Sequence, residues 1–256
     1  MNRCLGRKIP APLPAHRMLS RVSPSLPPSV DLTKWAGPIK DQGQLGSCTG
    51  HAFSSAMEWI FRKYHNKQPV LSPLYLYSKE LILDGNFPAD DGSDGVTGSN
   101  VTIANGCCED SLYPDSGGHI LKPTASQDAN AGLYRMGAYH GLTGSQVALS
   151  VLGDPVPWPV EMGFSIDDNF QSDEVAKTGI YVPSGKNTGD GHEVLLLGYD
   201  VGATPTIRPA SCPPAVKVQN SWTDMWGEKG YFWCAISVLD APSTDLKIVH
   251  SGSPWK

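Results

Sequence analysis

One cysteine constrains this chain more than anything in its composition. Gln42-Gly-Gln-Leu-Gly-Ser-Cys48 runs straight into Ala52, Phe53, Ala56, Trp59 and Ile60, apolar residues recurring at helical intervals, which predicts a helix with one buried face. Cys48 then sits in the first helical turn. A thiolate there gains from the positive end of the helix dipole, and a neighbouring imidazolium would lower the thiol pKa well below its free value of about 8.5. The plain alternative for such a residue is a small buried hydrophobe.

A base for this thiol is available far downstream. Gly-Asp-Gly-His192-Glu-Val-Leu-Leu-Leu-Gly-Tyr places a histidine at the mouth of a short apolar run of the kind that forms a buried strand. Val216-Lys-Val-Gln-Asn220-Ser-Trp222 alternates apolar and polar positions as a half-buried strand does, and delivers an amide followed by an aromatic ring. Singly, these residues read as a satisfied core histidine and a turn asparagine; their joint occurrence with Cys48 points to thiol chemistry. Two local rivals exist. His51 lies three residues after Cys48, where helical spacing brings a ring toward the same face, and Gln44 lies closer to Cys48 than Gln42 does.

The three segments resemble the papain family of cysteine peptidases, in which roughly 130–150 residues separate nucleophile and base. The similarity extends from Leu26-Pro-Pro-Ser-Val-Asp-Leu, which looks like the start of a mature papain-type chain, to Trp226-Gly-Glu-Lys-Gly-Tyr-Phe. Carried over position by position, the resemblance implies Cys48 as nucleophile, His192 as general acid and base, and Asn220 as the amide that orients the imidazole. It further implies Gln42 as oxyanion donor and Trp222 as the indole covering the His–Asn contact. Gly92 and Ser93 match the segment whose backbone pairs with extended substrate. Leu45 and Thr49 stand where many eukaryotic members carry a cysteine and a tryptophan, so the chain resembles a bacterial-type branch.

The implied reaction is peptide-bond hydrolysis through a Cys48 thioester. The Cys48 main-chain N–H and the Gln42 side chain would donate to the tetrahedral oxyanion, each such donor being worth about 2.7–4 kcal/mol. His192 would protonate the leaving amine and then activate water. No metal or organic cofactor is required. The alternatives are a catalytically idle peptide-binding relative and an acyltransferase that passes the thioester to an amine.

The implied fold is α+β and two-lobed: a helical lobe over about 40–130, and a lobe over about 131–256, joined by the start of the mature chain, forming an antiparallel β-barrel, with the cleft between them. Leu74, Leu76, Leu81 and Leu83 support a helix over Ser72–Leu83, and a further helix is expected over Val96–Asn105. Short apolar runs at Val156–Phe164, Val194–Tyr199, Val216–Val218 and Tyr231–Trp233 predict strands. Together 27 glycines and 22 prolines imply many turns. Asp90-Asp-Gly-Ser-Asp-Gly lacks the full ligand spacing of a calcium loop and reads as a solvated turn.

Residues 1–25 form a separate N-terminal extension before a 26–256 peptidase domain. Up to Val30 the chain holds Arg3, Arg7, Lys8, Arg17, Arg21 and six prolines without one acidic residue, while the remainder is strongly acidic. The asymmetry is consistent with a short inhibitory arm docking intramolecularly on the body, as in a zymogen; a disordered basic tail is the alternative. The acidic balance and pI of 5.8 argue against nucleic acid as main partner, leaving a peptide or protein substrate. A monomer is expected. No apolar stretch has secretory or membrane-spanning length, and the scattered cysteines specify no disulfide framework, so localisation is left open.

Overall fold

The structure, a computed structural model, describes residues 5–114 and 118–251; positions 1–4, which include Arg3 and Cys4 of the extension, lie outside it, as do 115–117 and 252–256. Helix α1 spans Cys48–Tyr64, α2 Pro73–Asp84, α3 Gly95–Ala104, α4 Ala125–Ala131, α5 Ser145–Leu152 and α6 Asp173–Thr178. The strands are β1 Met18–Leu19, β2 Ser29–Asp31, β3 Ala138–Leu142, β4 Val160–Asp167, β5 Ile180–Tyr181, β6 Asn187–Asp200, β7 Ala215–Gln219, β8 Tyr231–Ala235 and β9 Asp245–His250.

Local chemistry accounts for the helix boundaries. Ser72 caps α2 by accepting from the Tyr75 amide at 3.1 Å, with Pro73 in the first turn, where its missing N–H costs nothing. The helix stops at Gly85, whose φ of 77° is a left-handed conformation that glycine adopts without a Cβ penalty. Asp94 caps α3 by accepting from Val96 and Thr97 amides at 2.7 and 3.0 Å. This assigns Asp94 to a structural role. Among the described residues, no group of three His, Cys, Asp or Glu side chains is placed to hold a metal.

Helix α1 differs from the single-faced helix that its spacing predicts. Every residue from Cys48 to Phe61 is buried, including Glu58. The helix is wedged between α2, α3 and the sheet strand β6, so no side faces water. Glu58 is held there by Lys40 Nζ at 2.7 Å and by the Leu71 amide at 2.8 Å, the pairing that a buried carboxylate requires. One apolar core, with Phe53, Trp59 and Ile60 of α1 together with Val160, Leu196 and Phe232 of the sheet, runs through both halves of the chain.

The strands form one 9-stranded sheet in the order β1-β3-β9-β4-β6-β7-β8-β5, with β2 also on β6. The sheet is not closed into the barrel that was expected. Pairing is antiparallel except at β1–β3 and β5–β8. Strand β4 begins later than the apolar run suggests, at Val160, because Pro155, Pro157 and Pro159 supply no ladder N–H. Strand β6 is the spine: β2, β4 and β7 all pair with it, and it carries His192 opposite Phe164 of β4.

The described part of the extension is ordered against the body. After residues 5–9 comes a short turn of 3-10 helix at Ala15–Arg17, then β1 pairs in parallel with β3, and Leu5, Leu13 and Leu19 pack against the core. The Ser23 amide donates to Ser150 Oγ at 2.8 Å.

Candidate active site

The loop before α1 and the end of β7 are laced together. Gln42 N–H donates to the Ser221 carbonyl at 2.9 Å and Thr223 N–H to the Lys40 carbonyl at 3.2 Å. Gln42 Oε1 accepts from Ser221 Oγ at 2.6 Å and from the Trp222 indole at 3.1 Å, while its Nε2 donates to the Leu45 carbonyl at 3.0 Å. The carboxamide is thus oriented before any ligand arrives. Gln44 lines an open cavity beside it.

His192 and Asn220 come together across the β6–β7 ladder. His192 Nε2 lies 2.8 Å from Asn220 Oδ1, and the same oxygen accepts from the Ser221 amide at 2.9 Å. Trp222 stacks on the imidazole, with centroids 5.0 Å apart and an interplanar angle of 27°. Phe170, a residue that no sequence signal marked, closes the other approach at 5.7 Å and touches Trp222 as well. With Nε2 committed to an acceptor, that nitrogen carries the proton, and Nδ1 is buried with no hydrogen-bond partner. Burial lowers the His192 pKa to about 4, against the upward pull of Asn220.

Cys48 is fully buried at the start of α1. Its sulfur is reached by the main-chain amides of Glu193, the residue after His192, and of Gly6 in the N-terminal extension. Burial pushes the thiol up to about 12; the two amides pull down, and the carboxyls of Glu193 and Glu80 push further up. This reverses the lowered pKa expected from the helix dipole and an imidazolium: burial dominates both shifts, so the thiol and the imidazole are each uncharged at neutral pH. His51, the local rival, turns away, its Nδ1 lying 2.9 Å from the Ser47 carbonyl of its own helix start.

Gly92 and Ser93 meet the extension itself. Ser93 N–H donates to the Gly6 carbonyl at 2.9 Å, and Lys8 N–H donates to the Ser93 carbonyl at 2.7 Å, so residues 6–8 lie parallel to the Ser93 segment. On the opposite side Arg7 N–H donates to the Gly191 carbonyl at 3.3 Å. Gly6 itself is pressed between Gly46 and Gly92, leaving no room for a Cβ. Lys8 Nζ pairs with Asp91 at 2.7 Å on the surface, and the Arg7 side chain is wholly enclosed. The five described cysteines Cys48, Cys107, Cys108, Cys212 and Cys234 are free and buried.

Comparison with known proteins gives a consistent result. The family model for papain family cysteine proteases matches residues 26–241. The chain is 32% identical over 208 residues to gamete and mating-type specific protein A of Dictyostelium discoideum, covering 79% of this chain and 41% of that protein. It is 30% identical over 216 residues to cathepsin C of Schistosoma mansoni, covering 76% and 43%. The chain therefore spans less than half the length of these two curated relatives. The solved structure of xylellain, a cysteine protease from Xylella fastidiosa, superposes with a TM-score of 0.82 at 23% identity, covering 98% of both chains.

Proposed function

The chain belongs to the papain family of cysteine proteases, and from that membership we propose that it is a cysteine endopeptidase held latent by its own N-terminal arm. The observation that carries the reading is the state of His192: one ring nitrogen fixed by Asn220 under the Trp222 indole, the other buried and unclaimed, on a strand whose next amide reaches Cys48.

In the working cycle His192 Nδ1 takes the Cys48 proton as the sulfur attacks the substrate carbonyl. The oxyanion is stabilised by the Cys48 main-chain N–H and Gln42 Nε2. As the C–N bond breaks, His192 returns the proton to the leaving amine, and the acyl group remains on sulfur. Water, deprotonated by the same nitrogen, then cleaves the thioester. Asn220 keeps the imidazole in the tautomer that both half-reactions need.

The arm supports latency. Gly6 presents an amide N–H to the sulfur, so the thiol faces a hydrogen-bond donor instead of an electrophilic carbonyl carbon. The backbone positions that hold residues 6–8, Ser93 on one side and Gly191 on the other, are those an extended substrate would use. The test is hydrolysis of a fluorogenic peptide library under reducing conditions by the full chain and by Cys48→Ala and Arg7→Ala variants. Thiol-dependent cleavage that rises with Arg7→Ala supports the reading. Equal rates from the Cys48→Ala chain would end it, and product masses separate hydrolysis from acyl transfer to an amine.

A further inference from the structure

The side chain of Arg7 occupies a pocket that the sheet register builds. Glu193 of β6 lies directly opposite Gly163 of β4, which lies directly opposite Asp245 of β9. The three positions therefore form one row across three strands, on one face, with a glycine in the middle. A Cβ on Gly163 would sit 2.5 Å from Arg7 Nε, 2.5 Å from Glu193 Oε2 and 2.7 Å from Asp245 Oδ1. A Cβ on Gly191 would come 2.9 Å from Arg7 Cδ. The missing side chains are the space the guanidinium fills.

Two of the three guanidinium nitrogens donate hydrogen bonds, and the third, Nε, is buried without a hydrogen-bond partner and faces a carboxyl at longer range. Nη1 donates to the Ser243 carbonyl at 3.2 Å, Nη2 to Asp245 Oδ1, and Nε lies 3.8 Å from Glu193 Oε2. Both Glu193 oxygens are buried and accept no hydrogen bond, and Asp94 adds negative charge nearby. Lys247 pairs with Asp245 from the next row, beside the buried Glu161, so the one lysine faces several carboxyls. This fork of acceptors suits the planar, three-sided guanidinium, whereas a lysine ammonium satisfies it at one point and a leucine not at all.

We infer that this pocket selects substrate: it accepts an arginine side chain of the bound peptide, one residue away from the residue lying at the Cys48 sulfur, and Arg7 is a resident copy of that ligand. The inference rests on the peptidase reading for the word substrate, but the pocket's preference for arginine stands separately from turnover. The spacing comes from the arm, where Gly6 meets the sulfur and Arg7 follows it. Burial raises the Glu193 carboxyl pKa, and the Arg7 guanidinium beside it pulls in the opposite direction.

The experiment uses the full chain and two labelled pentapeptides, glycine throughout except for a central arginine or leucine. Binding is measured by anisotropy to the Cys48→Ala/Arg7→Ala chain, and hydrolysis of the same peptides is measured with the Arg7→Ala chain. The expected result is binding of the arginine peptide about tenfold or more tighter than the leucine peptide. Adding Asp245→Asn should erase the difference and Asp245→Glu should restore it. Hydrolysis without a binding preference overturns the pocket and leaves the peptidase standing. A binding preference without hydrolysis keeps the pocket's selectivity and overturns turnover. Binding of neither peptide overturns the pocket. Circular dichroism checks each fold; if Asp245→Asn does not fold, the arginine-to-leucine ratio on the Arg7→Ala background decides alone.

Discussion

The two places where the N-terminal arm touches the body are built on different physics. At residues 6–8 the grip is polar: backbone bonds to Ser93 and Gly191, the enclosed Arg7 ion pairs and the surface Lys8–Asp91 pair. At residues 13–19 it is a sheet edge with apolar support, β1 on β3 with Leu13 and Leu19 against the core. Every contact in the first region is one that an incoming peptide can replace in kind. Those in the second region resemble the fold itself, so the arm we propose as inhibitory would combine an exchangeable seal with a permanent root.

The largest effect that sharpens this contrast is at the sulfur. Cys48→Ala should remove turnover by at least about 10³-fold whatever the arm does, setting the floor against which release is read in a peptide assay. Arg7→Ala comes next. It leaves the root intact and should raise both peptide turnover and Cys48 alkylation by about tenfold, because it deletes the buried side-chain anchor of the seal. Leu13→Ala should do the reverse, lowering the thermal midpoint by a few degrees, for a loss of about 1 kcal/mol, while leaving latency nearly unchanged. The smallest effect is expected from Lys8→Ala. Lys8 and its partner Asp91 are 40% and 59% exposed, and such pairs contribute about 0.2–1 kcal/mol, so alkylation should change less than twofold.

Titration separates the sealed from the open state. With Cys48 held up at about 12 and His192 down at about 4, both groups are neutral near pH 7. The thiolate is the reactive form, so alkylation of the sealed chain should climb steadily with pH, without an inflection below about pH 9. Opening the seal admits water and removes the desolvation that dominates both shifts. The Arg7→Ala chain should therefore show its inflection at lower pH. Identical profiles for the two chains would mean that burial under the arm does not control the thiol.

The helix start at Cys48 and the strands leading to His192 and Asn220 were legible in the sequence because each shows a strong local signal: an amphipathic pattern, an apolar run and an alternating run. The helices over Ser72–Leu83 and Val96–Asn105 were legible for the same reason. The protonation state was not, since it depends on what covers the thiol, and Gly6 lies far away along the chain. The Glu193–Gly163–Asp245 row was hidden because its members come from three strands and meet only through register. Strand β9 was obscured by the buried Lys247 in its middle, which makes Asp-Leu-Lys-Ile-Val-His look solvent-facing on one side. Helix α5, short and bounded by Gly144 and Gly153, has too few turns for its period to stand out.

Strand β6 holds the arm at two points. Gly191 receives Arg7, and further along the same strand Gly198–Asp200 pair with β2, so the segment from Arg7 to Ser29 leaves and returns to one rigid element. A seal tethered in this way does not dilute: once displaced, it remains at an effective concentration on the order of millimolar beside its own binding groove. On the proposed reading, latency would be independent of protein concentration, and any free peptide substrate would compete against that local excess. One backbone cut between the seal at residues 6–8 and the root at residues 13–19 would change the order of the reaction, turning a first-order reclosure into a second-order encounter that dilution makes vanishingly slow.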